Sequence, residues 1–202
     1  MKKKTIIIIF LIFIICVLGI IIFIKKPNNT YKILNVGNNS NENITLDEIE
    51  KMLLNIKYYE AAIEVTVKSN KNTNKYLMKQ VHCAEQDIQT IIEPSDLEGV
   101  EMIYRDNKLE VKNSKLNVSK IYSDYPYIDD NALWLNSFLK DYKNVNPKIK
   151  EEKNEFIIEV ESQKIKKRLY IEKNSKNISK MEITDANKND RVYILYNEIT
   201  LK

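Results

Sequence analysis

Residues 5–24 form an unbroken run without a charged side chain, and that run decides how the rest of the chain must be read. At ~1.5 Å of rise per residue, a helix of that length crosses a ~30 Å hydrocarbon core. Its many isoleucines are mediocre helix formers in water. In lipid, however, a helix is the only single-segment way to pair every backbone group. Lys2, Lys3 and Lys4 precede the run and only Lys25 and Lys26 follow it, so the positive-inside bias puts the N-terminus in the cytoplasm. The expected organisation is residues 1–4 cytoplasmic, 5–24 a transmembrane anchor, 25–44 a linker and 45–202 an extracytoplasmic domain at the cell membrane, in a single-pass topology.

A cleaved secretory signal is the rival reading. Two features count against it: the run is longer than a signal core, and no pair of small residues stands where Ile22, Phe23 and Ile24 meet Lys25. Cys16 raises lipidation as a third reading. The residues before it, Phe13, Ile14 and Ile15, are not the small residues that bacterial lipoprotein signals place there, and a cysteine packs well in an apolar span.

The net charge of +4 belongs to the anchor. Residues 1–26 hold five lysines and no acid, which leaves the remainder near neutral, without the basic patch of a nucleic-acid binder. Outside the run the only cysteine is Cys83, so no intrachain disulfide framework is available and the fold must stand on its core. The heavy use of Lys, Asn and Ile reads as an AT-rich, low-GC bacterial genome. On that reading the N-x-S/T triplets at Asn43, Asn117 and Asn177 carry no glycosylation signal.

Thr45 and Glu48 have capping-box spacing, and Leu46, Ile49, Met52, Leu53 and Ile56 share one face, which predicts a helix over residues 46–57. From Tyr59 the period becomes two, predicting a strand through Lys68. Further strands are expected near 76–83, 88–93, 100–105, 109–112 and up to Tyr122. Asp129 and Asp130 suit a helix start, with Trp134, Leu135, Phe138, Leu139 and Tyr142 on one side of a helix over 131–142. Beyond Pro147, four strands are expected near 155–161, 166–173, 178–184 and 191–199. This order predicts an α+β, mostly antiparallel β fold: one curved sheet with helices on one face. Beyond the linker Gly99 is the only glycine, so turns must use Asn and Asp, and glycine-dependent phosphate loops and dinucleotide fingerprints cannot be built.

Catalytic sets are hard to assemble. His82 is the only histidine, and on a strand its neighbour Cys83 points to the opposite face, so the pair cannot converge on one metal or substrate atom. A glycosidase reading of Asp124, Asp129 and Asp130 among Tyr122, Tyr125 and Tyr127 competes with plain helix capping. Those three tyrosines are either core or contact surface, and the apolar ring and polar tip of tyrosine make the loop a candidate partner surface. Trp134 reads as core. No catalytic, metal-ligating or cofactor-binding residue is expected.

The stretches YEAAIEVTVKSNKNTNKYLMKQ, EPSDLEGVEMIYRDNKLEVKNSKLNVSKIY and YPYIDDNALWLNSFLKDY resemble the germination-lipoprotein GerS group within the LolA-like lipoprotein-carrier fold. The resemblance covers residues 46–202 and is most specific over 93–122. It implies an incomplete β-barrel with helices against its concave face and no catalytic residues. It also implies a role in spore germination beside a zinc-dependent N-acetylmuramoyl (peptidoglycan) amidase that modifies the spore cortex, with the zinc in the partner. The phenylalanine at 13 and isoleucines at 14 and 15 depart from the group's lipoprotein pattern. The leading expectation is a non-catalytic, membrane-anchored accessory protein acting at the forespore or spore envelope. The alternative is a LolA-like carrier that shelters lipid or lipoprotein acyl chains in its half-barrel. An envelope-stress sensor is the weakest, since only four residues precede the span.

Overall fold

The computed structural model describes residues 44–69, 71–84, 86–123, 135–162, 165–185 and 191–202. The expected anchor, and the expected linker up to residue 43, lie outside them; Ile44, placed in the linker, is instead buried in the core, with its N–H donating to the Lys173 carbonyl. Among the described residues no helix is long and apolar enough to cross a membrane.

Helix α1 (Leu46–Asn55) begins where the spacing requires. The Thr45 hydroxyl accepts from the Glu48 backbone N–H, and the Glu48 carboxylate accepts from the Thr45 N–H at 2.8 Å. Such a box contributes about 1 kcal/mol. The helix stops two residues earlier than the apolar pattern predicts. Ile56 is already extended, because the Lys57 and Tyr58 N–H groups both donate to the Lys202 carbonyl and so join the sheet.

Eleven strands follow: β1 (Tyr59–Lys68), β2 (Thr73–Cys83), β3 (Gln86–Glu93), β4 (Val100–Arg105), β5 (Lys108–Asn113), β6 (Val118–Ser123), β7 (Lys148–Glu151), β8 (Glu155–Ser162), β9 (Ile165–Glu172), β10 (Ile178–Asp185) and β11 (Arg191–Leu201). Helix α2 (Leu135–Asn144) separates β6 from β7. All strands belong to one antiparallel sheet in the order β6-β5-β4-β3-β2-β1-β11-β10-β9-β8-β7. It is two meanders, β1 to β6 and β7 to β11, joined by pairing of the first strand with the last. Among the described residues the sheet is open, with β6 and β7 at its edges.

Turn chemistry follows the shortage of glycine. Asp106 and Asn107 both have positive φ (50° and 58°) in the two-residue β4–β5 turn, and Asn117 adopts φ 52° before β6. Strand β7 was not expected. Its Lys148, Ile149, Lys150 and Glu151 are all exposed and show no burial alternation, and β7 exists only because β8 offers it an edge.

One face of the sheet is the core. Tyr59, Ala61, Ile63 and Val65 of β1 meet Met78, Ile158, Leu169, Ile171, Met181 and Ile194 from both meanders. Ile49 and Leu53 of α1 and Leu135, Phe138 and Leu139 of α2 close over them. Both helices therefore lie on one face, as their single apolar stripes require.

The opposite face carries charge ladders. Glu159 accepts from Arg168 Nε at 2.8 Å and lies 3.1 Å from Lys166 Nζ. Partial burial alone would raise its carboxyl pKa, but the hydrogen bonds from Arg168 and Lys166 outweigh burial and hold it below the usual range. A carboxyl whose folded pKa is depressed stabilises the fold above its unfolded pKa and loses that contribution as pH falls through the folded value. Glu159→Gln is therefore expected to lower the melting temperature at pH 7, with the difference from the unmodified chain shrinking as pH falls below the ordinary glutamate range. A melting series from pH 7 to pH 3 checks this.

Candidate functional site

The polar chemistry of the core gathers under α2. On β2 and β3 the inward positions that would ordinarily be apolar hold Gln80, His82, Asp87 and Gln89, and register sets them in rows. Tyr59 lies opposite His82, His82 opposite Asp87, and Asp87 opposite Tyr104. In the next row Ala61, Gln80, Gln89 and Met102 follow one another.

His82 Nδ1 sits 2.7 Å from Asp87 Oδ1, and its ring stacks on Tyr59 with centroids 5.2 Å apart. The other Asp87 oxygen accepts from the Asn136 carboxamide at 3.0 Å, and the Asn136 backbone N–H donates to the Tyr59 hydroxyl at 3.3 Å. Asp87 is 4% exposed, so its carboxylate depends on these partners. Burial, and then the Asp87 charge, push the Tyr59 hydroxyl well above its ordinary pKa, so it stays protonated.

One turn further along α2, Lys167 of β9 is 2% exposed between apolar neighbours. Its ammonium donates to Asp141 and to Ser137, each at 2.6 Å. Lys140 adds a contact with the Tyr104 ring on β4 at 5.5 Å. Helix α2 is thus fastened to β1, β3 and β4 of one meander and to β9 of the other.

The arrangement holds a helix in place. His82 and Asp87 form two parts of a nucleophilic triad, yet among the described residues no serine, threonine or cysteine side chain is hydrogen-bonded to the imidazole. Cys83 lies on the other face, half-buried. Among the described residues no group of three or more His, Cys, Asp or Glu side chains could hold a metal ion. The Gln89 carboxamide and the Tyr196 hydroxyl are buried and reach no hydrogen-bond partner among them.

Of the expected partner-surface tyrosines, Tyr122 is half-buried on β6, opposite Leu109, with the Lys120 ammonium 4.8 Å from its ring. Tyr125 and Tyr127 lie outside the described residues, as do Trp134, Asp124, Asp129, Asp130 and Cys16. The α2 anchors Asp87, Asn136, Ser137, Asp141 and Lys167 escaped sequence reasoning. A signal for Lys167 was present. It occupies an inward position in the alternation Ile165, Lys167, Leu169, Ile171, where a charge implies a buried partner.

No family model matches the chain, and no curated protein matches it. Solved structures do. One is an uncharacterised conserved protein from Thermus thermophilus, with 12% identity and TM-score 0.49 over 77% of this chain and 86% of that one. The LolA superfamily protein NE2245 from Nitrosomonas europaea gives 12% identity and TM-score 0.45 over 79% and 94%. The structure of the CwlD amidase from Clostridioides difficile in complex with the GerS lipoprotein contributes a chain with 22% identity and TM-score 0.43 over 81% and 96%. These are distant similarities in overall shape.

Removing Asp141 leaves the buried Lys167 ammonium with Ser137 in place of a carboxylate, and removing Asp87 takes the shared acceptor from the half-buried His82 and Asn136. Asp141→Ala, which strands the Lys167 ammonium, is expected to cost about 3 kcal/mol, and Asp87→Ala about 2 kcal/mol. Urea unfolding midpoints of the full chain in detergent check both, at unchanged m-value.

Proposed function

We propose that this chain is a non-catalytic, membrane-anchored accessory protein that acts by binding a peptidoglycan amidase during spore-cortex modification. The observation that carries the binding role is the filled inner face. Leu135 and Phe138 of α2 are fully buried against Ile63, Ile158 and Leu169, in the space a half-barrel carrier would keep for an acyl chain. The Asp87–Asn136 and Lys167–Asp141 contacts hold the helix there. Opening that space would break a buried ion pair, which makes α2 a poor lid. The carrier reading is the weaker one on this ground.

The choice of an amidase as partner follows from the resemblance of residues 93–122 to the germination-lipoprotein group, with its LolA-like fold. That segment maps onto the end of β3 and all of β4, β5 and most of β6, a continuous wing of the sheet. The location at the outer face of the membrane follows from the apolar run at residues 5–24 and its flanking lysines.

The test is reconstitution. The full chain in detergent, mixed with the N-acetylmuramoyl amidase of its own organism, is expected to elute as one complex in size-exclusion chromatography and to change the rate of cortex peptidoglycan cleavage. Separate elution with an unchanged rate would defeat the amidase reading. If mass spectrometry of the purified chain then found a stoichiometric acyl lipid, the carrier reading would replace it.

A further inference from the structure

The two edges of the sheet are treated unequally. Strand β7 is four residues long and carries Lys148, Lys150 and Glu151, the charged and short pattern that discourages another strand from pairing. Strand β6 is longer, with the sequence VSKIYS, and its single charge is Lys120. Apolar side chains stand out on both of its faces. Val118 is 56% exposed on the face shared with Lys120 and Tyr122, Ile121 is 59% exposed on the other, and Leu116 in the preceding turn is 69% exposed. Among the described residues β6 has a strand neighbour on one side only, so along that edge every second residue presents its N–H and C=O outward.

Charge around this edge selects the kind of strand that fits. Lys112 and Lys115 are occupied by Glu101 and Glu98. Glu110 accepts from the Ser119 hydroxyl at 2.6 Å. Among the described residues Lys120, on β6 itself, and Lys108, opposite Ser123, have no carboxylate partner. A second copy of β6 would bring its own Lys120 against this edge, and like charges facing each other across a ladder are destabilising.

We propose that β6 is a docking edge for an extended segment of another protein, rich in Asp or Glu at alternate positions, which adds to the sheet as a twelfth strand. Main-chain hydrogen bonds along β6 supply the pairing, Ile121 packs on cross-strand apolar neighbours on one face, and Lys120 selects the acidic side chains on the other. This edge stands apart from the amidase reading, since a chain that bound no amidase would keep it.

The probes are two fluorescein-labelled ten-residue peptides, one alternating valine with glutamate and one alternating valine with lysine. Their binding to the full chain in uncharged detergent is read by fluorescence anisotropy. The glutamate peptide is expected to bind about tenfold more tightly, and added salt to shrink the difference. Lys120→Glu, an exposed change that leaves the fold intact, is expected to remove that preference. Hydrogen exchange with bound glutamate peptide is expected to slow over residues 118–123. Equal affinities, an unaltered preference in Lys120→Glu, or slowed exchange elsewhere only would overturn the proposal. So would a concentration-dependent dimer that excludes the peptide, which would make a second copy the occupant.

Discussion

The ladder between β1 and β11 is the one connection that turns two meanders into a single sheet. It runs from Tyr59 opposite Leu201 to Lys68 opposite Arg191 and joins residues more than a hundred positions apart. Every other ladder links strands adjacent in sequence. Without it each meander would expose its share of the core, because Ile63, Leu169 and Met181 bury one another's neighbourhood only when both halves are present. The ladder also contains a register shift between Ala62 and Ile63, opposite Asn197. Before the shift, Ile199 and Leu201 face the core side; after it, Ile194 and Tyr196 do. A bulge is what allows odd-numbered and even-numbered residues of one strand to serve the same face.

Helix α2 then spans the seam. Its apolar side supplies Leu135, Phe138 and Leu139 to the core, and its polar contacts choose where it sits. Apolar packing alone is tolerant of sliding, whereas the pairings of Asn136 with Asp87 and of Asp141 with Lys167 fix its position against each meander separately. The functional consequence is that the inner face is occupied in holding the sheet together. The proposed accessory role and the proposed docking at β6 both leave that face undisturbed.

Much of this was legible in the chain. The capping box at Thr45 and Glu48, the alternation from Tyr59, the Asp106-Asn107 turn and the stripe through Phe138 each reflect a local rule, so each could be read from a few consecutive residues. Strand β7 was missed because edge pairing with β8, and not its own pattern, makes it a strand. The α2 anchors were missed for a related reason. Asp87 and Asn136 are ordinary surface residue types whose pairing beneath the helix depends on which strands become neighbours.

The sequence by itself determined most of the elements, the antiparallel character and the separation of His82 from Cys83 by the pleat. All of these follow from periodicity and backbone conformational preference, which act over short range. Only the tertiary structure decided that the first and last strands pair, that α2 fills the inner face and that β6, not β7, is left as an apolar edge. Those outcomes depend on contacts between segments far apart in the chain, where burial of a whole face outweighs the preference of any single residue.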